Sequence, residues 1–236
     1  MKKLFLIVYL IIQGPLLADA FMLHDIDFEP PTYTNGQIIG STGLISDSIN
    51  GFITQALLIQ NGGAISYYAP ESYTSGVHRI SWDMVAPTEQ GASSLLTAQL
   101  DGGGSVLFAA RMTTSHPLGQ VIAYEHGGSY DPAVPFNFGQ SYSLEVLMDL
   151  DANYYNFWLD GALLSDHVGI APDADLGLVS FGQDQYMGLQ AGVDNFRWEV
   201  TPAIPEPGTV SLLLLGLPAL GMARHLIPTQ KKQASK

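Results

Sequence analysis

The stretch that decides the fold runs from Tyr142 to Leu164. It reads Tyr142-Ser143-Leu144-Glu145-Val146-Leu147-Met148-Asp149, then Leu150-Asp151-Ala152-Asn153, then Tyr154-Tyr155-Asn156-Phe157-Trp158-Leu159, then Asp160-Gly161, then Ala162-Leu163-Leu164. Tyr142, Leu144, Val146 and Met148 fall on one face of an extended chain, and Ser143, Glu145 and Asp149 on the other. That period of two belongs to a half-buried strand, not to a helix. Tyr155, Phe157 and Leu159 alternate in the same way with Tyr154, Asn156 and Trp158. Asp160-Gly161 between two such runs is a tight-hairpin signal, because a two-residue loop needs residues that tolerate positive φ. The stretch predicts strand, acidic turn, strand, hairpin, strand.

The pattern continues outward. In His78 to Val85, Ile80, Trp82 and Met84 face one way and Arg79, Ser81 and Asp83 the other. Val106, Phe108, Ala110 and Met112 form another apolar face. Asn61-Gly62-Gly63 separates Phe52–Gln60 from Ala64–Tyr68, and Asp101-Gly102-Gly103-Gly104 separates Leu95–Leu100 from Ser105–Met112. No stretch of the core carries a 3.6-residue apolar period of helical length. About a dozen short strands at this spacing predict an all-β chain, an antiparallel β-sandwich or jelly roll over residues 21–203. There is no internal repeat.

That core resembles the concanavalin-like lectin and laminin-G jelly rolls. Asp27-Phe28-Glu29 through Gly36 resembles their opening strand and loop, Tyr142 to Leu164 the central hairpins, and Val193-Asp194-Asn195-Phe196-Arg197 the closing strand. The resemblance implies a scaffold that hosts both glycan-binding modules and polysaccharide-degrading enzymes.

The chemistry-bearing residues are sparse. Tyr154, Asn156 and Trp158 share a strand face, and two rings flanking an amide could stack on and hydrogen-bond a sugar, unless that face is the buried one. Glu145 and Asp149 share a face too, but as two residues of a solvated strand they read better as surface than as a glycosidase pair. Asp149, Asp151 and Asn153 imitate half of a calcium loop; Tyr154 stands where the loop's glycine should be, so a turn capped by side chains is the better reading. Asp194 shares parity with Phe196 and Trp198. On a core-facing side it needs a partner: either backbone hydrogen bonds, or a structural Ca²⁺ shared with Asp25 and Asp27 or with Glu29 on a neighbouring first strand. The histidines lack zinc spacing, and no nucleophile elbow, P-loop or dinucleotide fingerprint occurs. No residue is assigned a catalytic role and no cofactor is required.

The two ends carry addresses. Lys2 and Lys3, an apolar run from Leu4 to Leu17, and Ala18-Asp19-Ala20 have the layout of a signal peptide over residues 1–20. At the other end, Pro205-Glu206-Pro207 precedes an apolar run from Val210 to Ala223, followed by Arg224 and three lysines. The run predicts a transmembrane helix with its basic end on the cytoplasmic side. Residues 204–236 resemble the PEP-CTERM sorting signal of diderm bacteria. The resemblance implies an exosortase-type membrane protease as partner, with Pro205, Glu206 and Pro207 as its recognition motif. It also implies residence in the cell envelope, at the cell surface or in the extracellular matrix.

Residues 21–203 hold three arginines, no lysine and twenty acidic residues, a formal charge of −17 against −13 for the whole chain. Such a surface repels nucleic acid and anionic lipid. The absence of cysteine excludes thiolate catalysis and thiolate-bound metals. Together these features lead to an exported, non-enzymatic surface or matrix protein, with extracellular polysaccharide as a candidate partner. A secreted polysaccharide hydrolase or lyase and a purely structural matrix protein are the alternatives.

Overall fold

Alternation becomes architecture in two antiparallel sheets. The computed structural model describes residues 19–60, 62–87, 96–102, 105–116, 118–126, 129–182 and 190–202. The expected signal peptide, apart from its last two residues, and the whole segment from Ile204 onward lie outside the described residues.

The larger sheet is built around five strands: β1 (Phe21–Ile26), β6 (Val77–Val85), β11 (Ser141–Asp149), β12 (Tyr154–Leu159) and β15 (Gln190–Thr201). Its edges are β13 (Ala162–Gly169) on one side and β4 (Ala56–Gln60), β3 (Gly43–Ser46) and β2 (Ile38–Ile39) on the other. The order is β13-β12-β11-β6-β15-β4-β3-β2, and β1 pairs with the second half of β15. The smaller sheet contains β5 (Ala64–Tyr73), β7 (Leu96–Gly102), β8 (Ser105–His116), β9 (Gly119–His126), β10 (Ser129–Pro135) and β14 (Leu176–Gly182). Its order is β10-β9-β8-β7-β14-β5. No helix occurs among the described residues.

The predicted central hairpins are present. Tyr142, Leu144, Val146 and Met148 of β11 are buried, as are Tyr155, Phe157 and Leu159 of β12 and Ile80, Trp82 and Met84 of β6. Asp160 and Gly161 both take positive φ, 48° and 76°, the geometry of a right-twisted two-residue hairpin. Asp160 also reaches back, its Oδ1 accepting from the Ser143 amide at 2.8 Å. Gly161→Ala is expected to cost about 1 kcal/mol, read as a lower urea midpoint with unchanged slope.

The core is an aromatic seam between the sheets. Phe181 and Tyr67 of the smaller sheet meet Trp82 and Phe196 of the larger one, with Phe181 centred 5.9 Å from Trp82 and 5.1 Å from Phe196, and Tyr67 4.8 Å from Phe196. Farther along, Phe108 and Tyr124 meet Phe157 at 5.0 and 4.7 Å. These tilted ring pairs bury large apolar area and set the sheet spacing. At the far end His78 is buried. Trp198 donates to its Nδ1 at 3.2 Å, and burial holds its pKa below the usual histidine value.

Three expectations need correction. Asp27 to Gly36 is loop, not opening strand, which is Phe21–Ile26. The strand expected from Phe52 begins only at Ala56; the turn after Gln60 does separate it from the next strand, which lies in the other sheet. Val106 is 45% exposed although Phe108, Ala110 and Met112 are buried, because the register shifts at the end of the β7–β8 pair.

On the larger sheet's outer face a second, small apolar cluster forms from Ile49, Ala56, Leu58 and Val85, with Leu44 and Phe52 against it. Segment 47–55 thereby covers the β3–β4 end of that face. Gly192 permits this: a Cβ there would sit 2.6 Å from Val85 and 2.8 Å from Phe52. No other described segment covers the rest of the outer face, over β12, β11, β6 and the second half of β15.

Candidate functional site

The outer face is built from the polar half of each alternation. Cross-strand pairing places Trp158 beside Glu145, Glu145 beside Ser81, Ser81 beside Arg197, and Arg197 beside Asp25. One step along, Ser143 pairs with Asp83, and Asp83 with Asp194. On the other side of the first row, Asn156 pairs with Leu147, Leu147 with Arg79 and Arg79 with Glu199. Two adjoining depressions lie in this surface. One, of about 300 Å³, is lined by Ser81, Asp83, Ser143, Asn195 and Arg197. The other, of about 330 Å³, is lined by Ser143, Glu145, Trp158 and Gly161. They share Ser143 and form a shallow groove with Trp158 as its apolar wall; Leu163, 49% exposed, is paired with Trp158 on the next strand.

The groove's charges are held by one another. Arg79 lies 3.4 Å from Glu145, Arg197 donates to Asp25 at 2.9 Å, and the Asn195 side-chain Nδ2 donates to Asp83 at 2.8 Å. Such restraint fixes side chains that would otherwise sample many rotamers.

Trp158 is half-buried on the outer face, with Tyr155, Phe157 and Leu159 filling the core behind it. Tyr154 and Asn156 share that face but are occupied. Tyr154 stacks on His167 at 4.4 Å, and Asn156 Oδ1 accepts from the His167 amide at 2.6 Å, where β13 bulges and His167 takes φ 52°. Of the three, only the Trp158 residue lines the groove.

Glu145 and Asp149 lie four residues apart on one strand, about 14 Å along the backbone, beyond the separation of a glycosidase pair. Asp149 is also engaged, accepting from the Ala152 amide at 2.8 Å. Asn153 takes φ 57° within the same turn, and Asp151 ties that turn to the neighbouring one by accepting from the Gly76 amide at 3.0 Å. Asp83 and Glu145 are closer, diagonal neighbours at about 7–8 Å. A general acid needs apolar surroundings or a like charge pressed against it. Glu145 instead faces Arg79, and Asp83, although it lies opposite Asp194, has its carboxylate held by the Asn195 side-chain amide.

Asp25, Asp27 and Asp194 do not come together. Asp25 is exposed and paired with Arg197, while Asp27 accepts from the Glu29 amide at 3.1 Å. Asp194 is 1% exposed but not on the side its parity predicted. Asn195 takes φ 51° and the register shifts between Asp194 and Arg197. Val193 and Phe196 are both in the core, and Asp194 sits opposite Asp83 on the outer side, beneath segment 47–55. An extra residue in a strand has this effect. Asp194 accepts from Thr54 at 3.2 Å and from the Asn195 amide at 2.8 Å. Burial, against those hydrogen bonds, pushes its pKa up to about 6, with the charges of Asp83 and Glu29 adding to the rise. Among the described residues no group of three or more His, Asp or Glu side chains has metal-holding geometry.

Asp83, Ser143, Asn195 and Arg197 were not among the sequence candidates. Alternation marks Asp83 and Ser143 as outward, but only the strand order β11-β6-β15 makes them neighbours.

The fold and face together define an antiparallel, concanavalin-like β-sandwich with a polar groove walled by an aromatic ring. The sequence matches no family model and no curated protein. Solved structures share the fold. A carbohydrate esterase of the Shiga toxin-encoding bacteriophage phi24B superposes with a TM-score of 0.57 at 11% identity, over 78% of this chain and 100% of that one. The catalytic domain of a glycoside hydrolase family 131 protein from Coprinopsis cinerea gives 0.52 at 10% identity, over 79% and 98%. A sialidase gives 0.55 at 13% identity over 77% of this chain, which spans only 19% of that protein's length.

Proposed function

We propose that this chain is an exported, non-enzymatic β-sandwich of the cell surface or extracellular matrix that binds glycan through its outer-face groove. The observation that carries the reading is Trp158. It is turned away from a core already filled by its strand neighbours and stands beside two adjoining polar depressions. A partly exposed indole next to fixed carboxylate, amide and guanidinium groups offers the apolar surface and the hydrogen-bonding groups that a sugar ring requires. The kinship of fold with carbohydrate-active proteins is compatible with this reading.

Export and sorting rest on the sequence: the signal-peptide layout, and Pro205-Glu206-Pro207 ahead of an apolar run with basic residues after it. An exosortase-type protease is the partner proposed for that tail. The hydrolase or lyase reading is weaker, because no carboxylate pair in the groove has both the spacing and the surroundings of an acid and a nucleophile. A purely structural matrix role predicts no ligand at all.

The test is retention on a panel of immobilised polysaccharides. The parent protein is expected to be held by at least one, and Trp158→Ala to lose that retention while keeping its melting temperature within about 2 °C. Equal retention of the two proteins would remove the groove as the binding site.

A further inference from the structure

We propose that the groove takes a polysaccharide of amino sugars bearing free ammonium groups, which Asp83 and Glu145 hold while Trp158 stacks on the ring. The inference rests on the reading of this face as a glycan site and names its ligand class. Around the groove four carboxylates, of Asp25, Asp83, Glu145 and Glu199, share the outer face with two guanidiniums, of Arg79 and Arg197. Both guanidiniums are committed, Arg79 to Glu145 and Arg197 to Asp25. The remaining arginine of residues 21–203, Arg111, is on the other sheet, and there is no lysine in that range. Among the described residues the four carboxylates outnumber the two guanidiniums, so the face carries net negative charge that opposes a uronate or sulfate and favours a cationic sugar.

Asp83 is the focus. Its carboxylate opens into the depression beside Ser143, and the partner it has there is a neutral amide. An ammonium group would give it a charge-assisted hydrogen bond, stronger than a hydroxyl supplies. Glu145, across the diagonal and in the adjoining depression, offers a second carboxylate oxygen to the same or the next residue of a chain. Acetylating the amine would remove both the charge and two of its three donors. The apolar wall of Trp158 is indifferent to this change, so the carboxylates set the preference.

The experiment is calorimetric titration with short glucosamine oligomers, β-1,4- and β-1,6-linked, against N-acetylated, glucose and uronate oligomers of the same length. Trp158 emission provides a second readout, since Trp82 and Trp198 are buried. A glucosamine oligomer is expected to bind about tenfold or more tighter than its acetylated counterpart, with affinity falling as salt rises. Asp83→Asn, which keeps an acceptor for Asn195, is expected to lose about tenfold, and Trp158→Ala to abolish the signal. Equal or tighter binding of acetylated, neutral or uronate oligomers would overturn the amino-sugar assignment and leave the glycan site standing. Glucosamine binding undiminished in both variants would assign the attraction to the diffuse acidic surface and overturn the proposal. Absence of binding by every oligomer would overturn both readings.

Discussion

Phe181→Ala is expected to destabilise the protein by about 3–5 kcal/mol. Phe181 is fully buried and sits where the two sheets meet, in ring contact with Tyr67 on its own sheet and with Trp82 and Phe196 across the seam. Truncation removes the transfer free energy of the ring and leaves a void. Its walls belong to two sheets whose spacing is set elsewhere by Phe108, Tyr124 and Phe157, so the site has little freedom to collapse. The loss should appear as a lower urea midpoint at an unchanged slope. Leu163→Ala, on the outer face, is the control and should stay within about 0.5 kcal/mol of the parent. A comparable cost for both would mean that Phe181 does not join the sheets as described.

Asp194→Asn is expected to stabilise the protein near neutral pH by on the order of 2 kcal/mol. The sign follows from the direction of the shift. The folded-state pKa is raised to about 6 from an ordinary value of 3.8. The native state therefore holds this proton more tightly than the unfolded chain does. The resulting stability is fully present below about pH 4 and is lost as pH rises through 6. Above that, the fold carries a buried carboxylate under the charges of Asp83 and Glu29, and Glu29 Oε1 is itself buried without a hydrogen-bond partner among the described residues. Asparagine keeps an acceptor for Thr54 or the Asn195 amide and removes the charge. Melting temperatures from pH 4 to 8 should show variant and parent converging at the acid end and separating at the neutral end. His78 titrates in both proteins, and its contribution cancels in the difference. A variant less stable than the parent at pH 7.5, together with a parent destabilised by EDTA, would sink this account and show that a cation compensates the carboxylate.

The site was legible in part, and the reasons differ residue by residue. Trp158 could be read as an outer-face candidate because its strand neighbours Tyr155, Phe157 and Leu159 are the apolar set. Tyr154 and Asn156 carried the same parity, yet a bulge in β13 brings His167 over one and its amide onto the other. Asp194 was placed on the wrong side because parity counting assumes an unbroken strand, and a single left-handed residue at Asn195 reverses it. Asp83 and Arg197 could not be nominated at all, since they are separated by more than a hundred residues and meet through pairing across β6 and β15.

The sequence by itself determined the class of the fold, the central hairpins around Asp160-Gly161, the faces of β6, β11 and β12, and the acidic, cysteine-free character of the surface. These are local properties: side-chain alternation and turn chemistry act between residues a few positions apart. Only the tertiary structure decided which strands lie side by side, where a strand slips by one residue, and which part of the outer face segment 47–55 covers. Those outcomes depend on long-range packing, in which Phe181 finds Phe196 and Ile49 finds Val85. Alternation within one strand carries no record of its neighbour, so the groove existed in the sequence only as scattered outward residues.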